Sequence, residues 1–400
     1  MDQPLVSIIT PSFNQGRFIR ATIESVLSQD YPNIEYIVMD GASTDETASI
    51  VKEYASRLTF ISENDRGQSH AINKGFRMAR GDILAWLNSD DILLPGAVST
   101  AIQTLQQHPE AGAVYGEGYL IDAEGNVKRR FPATEPFNLW KLVYLSDYIL
   151  QQTAYFRRSV LDEVGLLDET LHWGMDWDLL IRIGKRYPLQ HIPHYMGALR
   201  EYDEAKTFSG GHRRFRELAS IMRSHGHMRY PPGYFSYGLE TYHRLVGRWL
   251  PFASWRSALS RAAHAYIRRL CDAQGLYSDG WAARRLKYML PRGTGGIRIT
   301  GFLPEYPALR DQRLTVYRDG KKLGEQAVPF GEFAIEVEGS GASFPKPAYI
   351  EVTASSVLRS KGDRRKLAYM LRAIEWSKPQ QRGAAEANCA PSTEPVASGP

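Results

Sequence analysis

Two adjacent carboxylates, Asp90 and Asp91, follow the apolar run Leu84-Ala85-Trp86-Leu87 by way of Asn88 and Ser89. An apolar run without polar alternation reads as a strand buried on both faces, so the polar residues mark where it leaves the sheet. Neighbouring carboxylates repel each other unless a cation or a set of donors balances them. A hard divalent ion, held by one or two carboxylates and by the phosphates of a substrate, would do so. So would a helix cap, because Asp91 stands shortly before Pro95, a good first-turn residue. The residues alone leave both readings open. Asp176 stands at the start of a helical pattern (Leu179, Leu180, Ile183) beside Trp173 and Trp177. It either faces the helix dipole or acts as a base. Gln151 and Gln152 lie in an apolar setting and need partners, which sugar hydroxyls or backbone groups can supply.

The elements that must position these groups alternate along the first hundred residues. Leu5 to Thr10, Ile34 to Met39, Leu58 to Ile61 and Ile83 to Leu87 read as strands. Between them, helices are expected over about Gly16 to Gln29 and Gln68 to Arg80. A further helix is expected from Ser43, whose spacing to Glu46 is that of a capping box, to about Ser56. Such alternation implies a parallel sheet with helices on both faces. Each strand then delivers polar residues to one sheet edge: Thr10-Pro11-Ser12-Phe13-Asn14, Asp40-Gly41, Glu63-Asn64-Asp65 and the acidic pair. Ligands of open α/β sheets bind at that edge. A dinucleotide fingerprint and a P-loop are both absent, which argues against those two phosphate sites.

In this order the pieces resemble glycosyltransferase family 2, the inverting enzymes of GT-A fold. The residues that carry the resemblance are Ile9 to Gln15, Ser25 to Gln29, Met39 to Asp45, Asp65-Arg66-Gly67, Ala71 to Gly75 and Asn88 to Asp91. The resemblance implies that Thr10, Pro11, Ser12, Asp40 and Asp65 hold the nucleotide of a UDP-like sugar donor, with Asn88 beside them. It implies that Asp91 ligates Mn²⁺ or Mg²⁺ and that Asp90 approaches the ribose or the sugar. Trp173 to Arg182 matches the acidic motif that precedes Trp-Asp-Leu, which makes Asp176 the general base, although Met175 stands where the family often carries glutamate. Arg200 and Lys206 match residues that close over the donor diphosphate. Gln151, Gln152 and Trp173 are the candidate acceptor or sugar contacts, and Asp178 is expected to pair with Arg182 at i+4.

Further along, Gly112 to Ile121 and Val127 to Phe131 predict a hairpin, and His191 to Tyr202 a strand. From His212 to Arg292 a helical reading carries fifteen Arg and Lys against four acids, interleaved with Trp249, Phe252, Trp255, Tyr266, Tyr277 and Trp281. That combination suits an anionic membrane surface or a solvated helical face with the aromatics packed inward. No nucleic-acid motif accompanies it. After Pro291 to Gly296, read as a linker, period-2 patterns predict a small β-sandwich to about Trp376, and a Pro-, Ala- and Ser-rich tail follows. The expected fold is therefore a GT-A-type mostly parallel sheet over 1–211, a basic helical segment over 212–292, a β-sandwich over 293–376 and a disordered tail over 377–400.

Four hundred residues, 43% hydrophobic and 23% charged, suit a soluble protein of two or three domains. No apolar run is long enough to span a membrane. No signal peptide is expected, and Cys271 and Cys389 suggest no disulfide framework, so a cytoplasmic protein, peripheral at the inner face of the plasma membrane, is anticipated. The expected activity is an inverting, non-processive transfer of one sugar from a nucleotide-sugar to a glycan or lipid-linked acceptor in bacterial surface polysaccharide synthesis. Non-processivity rests on Arg248-Trp249 lacking the glutamine of the Gln-x-x-Arg-Trp motif. A nucleotidyltransferase and a non-catalytic glycan-binding protein are the alternatives.

Overall fold

The computed structural model describes residues 3–131, 134–202, 205–206, 210–226, 230–249, 275, 277, 281–290, 296–338, 348–359 and 365–377. The first half is one nine-stranded sheet in the order β3-β2-β1-β4-β8-β6-β9-β5, with β7 paired to β6. Its strands are β1 (Val6–Ser12), β2 (Ile34–Asp40), β3 (Thr59–Ser62), β4 (Ile83–Trp86), β5 (Ile92–Leu93), β6 (Ala113–Ile121), β7 (Val127–Arg130), β8 (Tyr155–Arg157) and β9 (Leu189–Arg200). The helices are α1 (Gly16–Leu27), α2 (Thr47–Lys52), α3 (Gln68–Met78), α4 (Ala97–Gln107), α5 (Leu139–Tyr144), α6 (Arg158–Val164) and α7 (Met175–Gly184).

The four strands read from the alternation are parallel, as expected. The other half of the sheet is mixed. β8 runs antiparallel to β4 and β6, β6 and β9 are parallel, and β5 and β7 are antiparallel edges. Side chains alternate across β1, so Ile9 joins α3, through Ala71, Ile72 and Phe76, in one apolar cluster. Val6 and Ile8 join α1, through Ile19, Ile23 and Val26, in another on the opposite face. Both faces are thereby removed from water, which is why the strands tolerate long apolar runs.

The capping box predicted at Ser43 does not form. The second helix starts at Thr47, and Ser43 turns its hydroxyl onto Asp40. The Asp40 carboxylate takes the Ser43 hydroxyl as a donor, and the Ser43 oxygen accepts from the Asn14 N–H at 2.8 Å instead of from a helix N–H.

Two helices follow, α8 (Gly211–His225) and α9 (Pro232–Trp249). The chain is β again from Trp281, ahead of the expected boundary at 293. β10 (Trp281–Ala283) and β11 (Arg285–Leu290) belong to two four-stranded antiparallel sheets, β10-β17-β12-β15 and β11-β16-β13-β14. The other strands are β12 (Gly296–Leu303), β13 (Arg313–Arg318), β14 (Lys321–Ala327), β15 (Gly331–Glu338), β16 (Ala348–Ala354) and β17 (Leu367–Ser377). In β11 Leu286 and Tyr288 are buried while Arg285 and Lys287 are exposed, a period of two that a basic composition disguises. The two sheets share one apolar core, so this region is the expected β-sandwich. Tyr288 is also buried against α5, where its hydroxyl accepts a hydrogen bond from the Leu139 backbone N–H at 3.3 Å. The anticipated linker over 291–295, the tail beyond 377, both cysteines and the aromatic residues Phe252, Trp255 and Tyr266 lie outside the described residues. Among the described residues no helix is long and apolar enough to cross a membrane.

Candidate active site

The ends of β1, β2 and β4 and the loop after β3 lie side by side along one edge of the parallel sheet. Ser12, at the end of β1, is buried, and its Oγ has no hydrogen-bond partner among the described residues. Thr10 lies deeper and shares a 3.0 Å hydrogen bond with the buried Tyr36 hydroxyl, so it supports the strand rather than facing a ligand. Asp40 is almost fully buried. Its carboxylate accepts from the Ser43 hydroxyl at 2.5 Å, the Ser43 N–H at 3.0 Å and the Ser62 hydroxyl at 2.6 Å. Asp65 accepts from Gly67 N–H at 2.7 Å. Its other oxygen lies so close to Gly41 that a Cβ there would sit 2.7 Å from it, and Phe13, 60% exposed, flanks the same glycine.

The acidic pair divides. Asp91 is buried; Oδ1 accepts from Arg200 N–H at 2.9 Å and Oδ2 from Gln152 Nε2 at 2.5 Å and Asn88 Nδ2 at 3.2 Å. Burial, and then the charge of Asp90, push its carboxyl well above the usual range. Asp91 is the residue expected on a metal; both its oxygens accept hydrogen bonds from protein donors, beneath β9. Asp90 is less deeply placed and accepts from the Tyr202 hydroxyl at 2.8 Å. Asn88 accepts from Gln68 Nε2 at 2.7 Å, and Gln68 Oε1 from Lys206 Nζ at 2.8 Å. A continuous polar chain therefore runs from Lys206 to Asp91.

Three further expectations meet a different geometry. The guanidinium of Arg200 donates to the carbonyls of Asp90, Asp122 and Ala123 at 2.7 to 2.9 Å and lies 4.8 Å over the Phe18 ring, so it clamps these loops together. Gln151 donates to the Trp86 carbonyl at 2.8 Å, and Gln152 to Asp91; both are buried, so protein groups satisfy their amides.

Asp176 lies in the first turn of α7 and accepts from the Trp177 N–H at 2.9 Å. Burial raises its carboxyl above the ordinary range, against the opposing pull of backbone N–H groups, Lys206 and Arg214. Trp177 is fixed by its indole N–H on the Leu142 carbonyl at 2.7 Å. Asp178 pairs with Arg182 at 2.7 Å, at the expected i+4 spacing, and with His225.

The family model of glycosyl transferase family 2 matches residues 7–165. Residues 7–165 are a glycosyl transferase family 2 domain. Within it and its continuation to β9, the sheet is mixed and of GT-A type, with β1 to β4 forming its parallel part. An uncharacterized glycosyltransferase of Rickettsia prowazekii is 31% identical over 183 residues, which cover 44% of this chain and 57% of that protein. The chondroitin synthase of Escherichia coli is 30% identical over 192 residues, 47% of this chain and 28% of that one. The chain thus spans little more than half the length of the first relative and less of the second. The crystal structure of Staphylococcus aureus TarS 1–349 in complex with UDP-GlcNAc superposes with a TM-score of 0.46 at 19% identity, over 55% of this chain and 65% of that one. The family 2 match ends before Asp176, so the acceptor side rests on this chain's own geometry.

Sequence reading missed Gln68, Tyr202, Phe13 and Glu217. Glu217, on α8, accepts from the backbone N–H groups of His172, Trp173 and Gly174 at 2.9, 2.6 and 2.9 Å. It thereby fixes the loop that carries Trp173 and leads into Asp176. Gly174 is needed there, since a Cβ would meet Ile221 at 2.6 Å. The expected outcome for Glu217→Gln is a turnover lower by roughly tenfold or more, because the amide presents a donor to N–H groups and shifts the loop. UDP affinity, measured by calorimetry, is expected to stay unchanged; an equal loss in both would show that Glu217 supports the fold as a whole.

Proposed function

We propose that the chain is an inverting, non-processive glycosyltransferase that moves one sugar from a nucleotide-sugar, of the UDP type, to a hydroxyl of a glycan or lipid-linked acceptor. The observation that carries this reading is that Lys206 links the two carboxylate groups: its charge acts on Asp176, and its ammonium donates to Gln68, from which hydrogen bonds run through Asn88 to Asp91, next to Asp90. Asp176 takes the proton of the acceptor hydroxyl as that oxygen bonds to the anomeric carbon. The bond from that carbon to the diphosphate oxygen breaks, and the diphosphate leaves on the opposite face, which inverts the configuration. Lys206, whose charge is felt by Asp176, offsets the charge of the leaving group.

On the donor side, Ser12, Asp40 and Asp65 bracket the nucleotide, with Phe13 offering an exposed ring beside Gly41 and Asp65. The donor set also fits a divalent cation. Among the described residues no three ligating side chains cluster, so Mn²⁺ or Mg²⁺ would be held by Asp90 and completed by diphosphate oxygens. When bound, that ion neutralises charge on the diphosphate. The name of the chondroitin synthase relative agrees with transfer to a glycan, and surface polysaccharide synthesis is the setting proposed. Arg213 and Arg216 are exposed on α8, which supports a peripheral contact with an anionic membrane at the cytoplasmic face. We divide the chain into a catalytic part to about residue 211, a helical basic part, and the sandwich from Trp281.

A screen of nucleotide-sugars, read by release of nucleoside diphosphate with and without Mn²⁺, tests the reading. Release from at least one donor, stimulated by cation, is the expected result. Binding of donors with no release under any condition would favour the non-catalytic glycan-binding alternative, and release of pyrophosphate the nucleotidyltransferase.

A further inference from the structure

Helices α8 and α9 enclose a groove of about 690 Å³ that the catalytic reading does not use. Its floor is apolar: Phe215, Tyr234, Phe235 and Leu239. Its rim carries Arg216 and Arg223, and no carboxylate lines it among the described residues. The volume falls within the range of ordinary ligand pockets, about 300 to 1,000 Å³. One end begins at His212, which is bonded to Tyr242, close to Gly210, against which the Trp173 indole packs. α8 also supplies Glu217 to the loop before Asp176, and Tyr237 of α9 lies 5.6 Å from the Trp177 ring. The groove and the proposed base are therefore built on the same pair of helices.

The chemistry of the groove selects its occupant. Sugar rings stack on flat, open aromatic faces, but here the rings close on one another: Phe215 meets Tyr234 at 5.0 Å and 56°, and Tyr242 at 5.6 Å and 75°. Edges and aliphatic surface suit a hydrocarbon chain, which conforms to them and loses water. Guanidinium groups at the rim suit a phosphate, which accepts bidentate hydrogen bonds. We propose that the groove between α8 and α9 binds the lipid-phosphate part of the acceptor, its hydrocarbon on Phe215, Tyr234 and Leu239 and its phosphate at Arg216 and Arg223. This rests on the glycosyltransferase reading and names its acceptor class. The sugar to be extended would then project past Trp173 toward Asp176.

Farnesyl phosphate is the probe, titrated calorimetrically into the full chain and compared with farnesol and inorganic phosphate. Farnesyl phosphate should bind roughly tenfold or more tightly than farnesol, and inorganic phosphate alone should not bind measurably. Arg216→Glu should weaken binding by roughly tenfold or more, as should the Arg216→Glu, Arg223→Glu pair. Gly238→Leu should also block it. A Cβ at Gly238 meets the Phe215 ring at 3.4 Å, an ordinary contact, so the longer side chain enters the groove without breaking the helices, as circular dichroism would verify. Unchanged binding in both Arg216→Glu and Gly238→Leu, no binding by the wild type, or binding only as anionic vesicles would overturn the groove assignment. Release of nucleoside diphosphate in the absence of acceptor is read in parallel. Its persistence with a failed groove leaves the enzyme reading standing, whereas its absence with every donor defeats that reading instead.

Discussion

Asp176→Asn is expected to lower turnover by roughly 10²–10⁴-fold, the range that a positioned base contributes. UDP affinity should not change, because Asp176 stands on α7 and not on the ends of β1 and β2 that carry the proposed nucleotide contacts Ser12 and Asp40. The pH profile gives an independent check. The carboxyl of Asp176 is raised by burial, so its basic form is lost at a higher pH than for an ordinary carboxylate. The acid limb of the rate profile should accordingly sit above the usual carboxylate range. Asp147 shares this environment. Burial raises its carboxyl first and the charge of Asp176 second, and its backbone N–H donates to the Tyr237 hydroxyl at 3.1 Å. Asp147 therefore keeps its proton where Asp176 ionises. Asp147→Asn should leave the acid limb in place, and a limb that moves would show that Asp147 sets it.

The same shift makes a stability statement. A carboxyl whose folded pKa exceeds its unfolded value favours folding below the unfolded pKa, and that contribution is lost as pH rises through the folded pKa. At neutral pH the ionised Asp176 consequently costs stability. Asp176→Asn should melt at a higher temperature than wild type at pH 7, and this advantage should shrink under acid conditions. A variant that is both inactive and more stable is the signature of a group kept for chemistry rather than for the fold. Loss of activity with a lower melting temperature would point to a structural role.

The second large effect separates the two neighbouring aspartates. Asp90→Asn is expected to abolish the cation-dependent part of UDP binding, so that a chelator weakens binding to wild type but not to the variant. Its melting temperature should be close to that of wild type. Asp91→Ala should do the reverse, losing roughly 3 kcal/mol of stability because the donors of Gln152, Asn88 and Arg200 N–H are left without an acceptor in a buried place. Cation-dependent UDP binding that survives Asp90→Asn would remove Asp90 from the metal.

Sequence could not tell these aspartates apart, since adjacent residues of one type carry no record of which way they face. Tertiary pairing decides it: Ile92 and Leu93 return to the sheet against Ala198 and Gly197 of β9, which turns Asp91 inward beneath the Arg200 N–H. The four parallel strands were legible because each is a buried apolar run with a polar end, a signal contained within a few residues. Arg200 was read as a phosphate ligand because charge and position are visible in sequence, whereas its carbonyl partners at residues 90, 122 and 123 are set by three separate loops. Glu217 was invisible for a similar reason. It serves a loop about forty-five residues upstream and binds only backbone, which has no side-chain signature. β10 and β11 were hidden by arginines whose number suggested a helical surface while their alternation marked a strand.

The contact between Tyr288 and Leu139 bears on how the two halves of the chain are joined. Leu139 opens α5, and α5 holds the Trp177 indole through the Leu142 carbonyl, one residue from the proposed base. A fragment cut at the edge of the family 2 match would thus lose both α7 and the tyrosine that backs α5. The sandwich is better regarded as a wall than as an appendage. The Tyr288 hydroxyl is thus a tie through which the sandwich reaches α5, and through α5 the Trp177 indole.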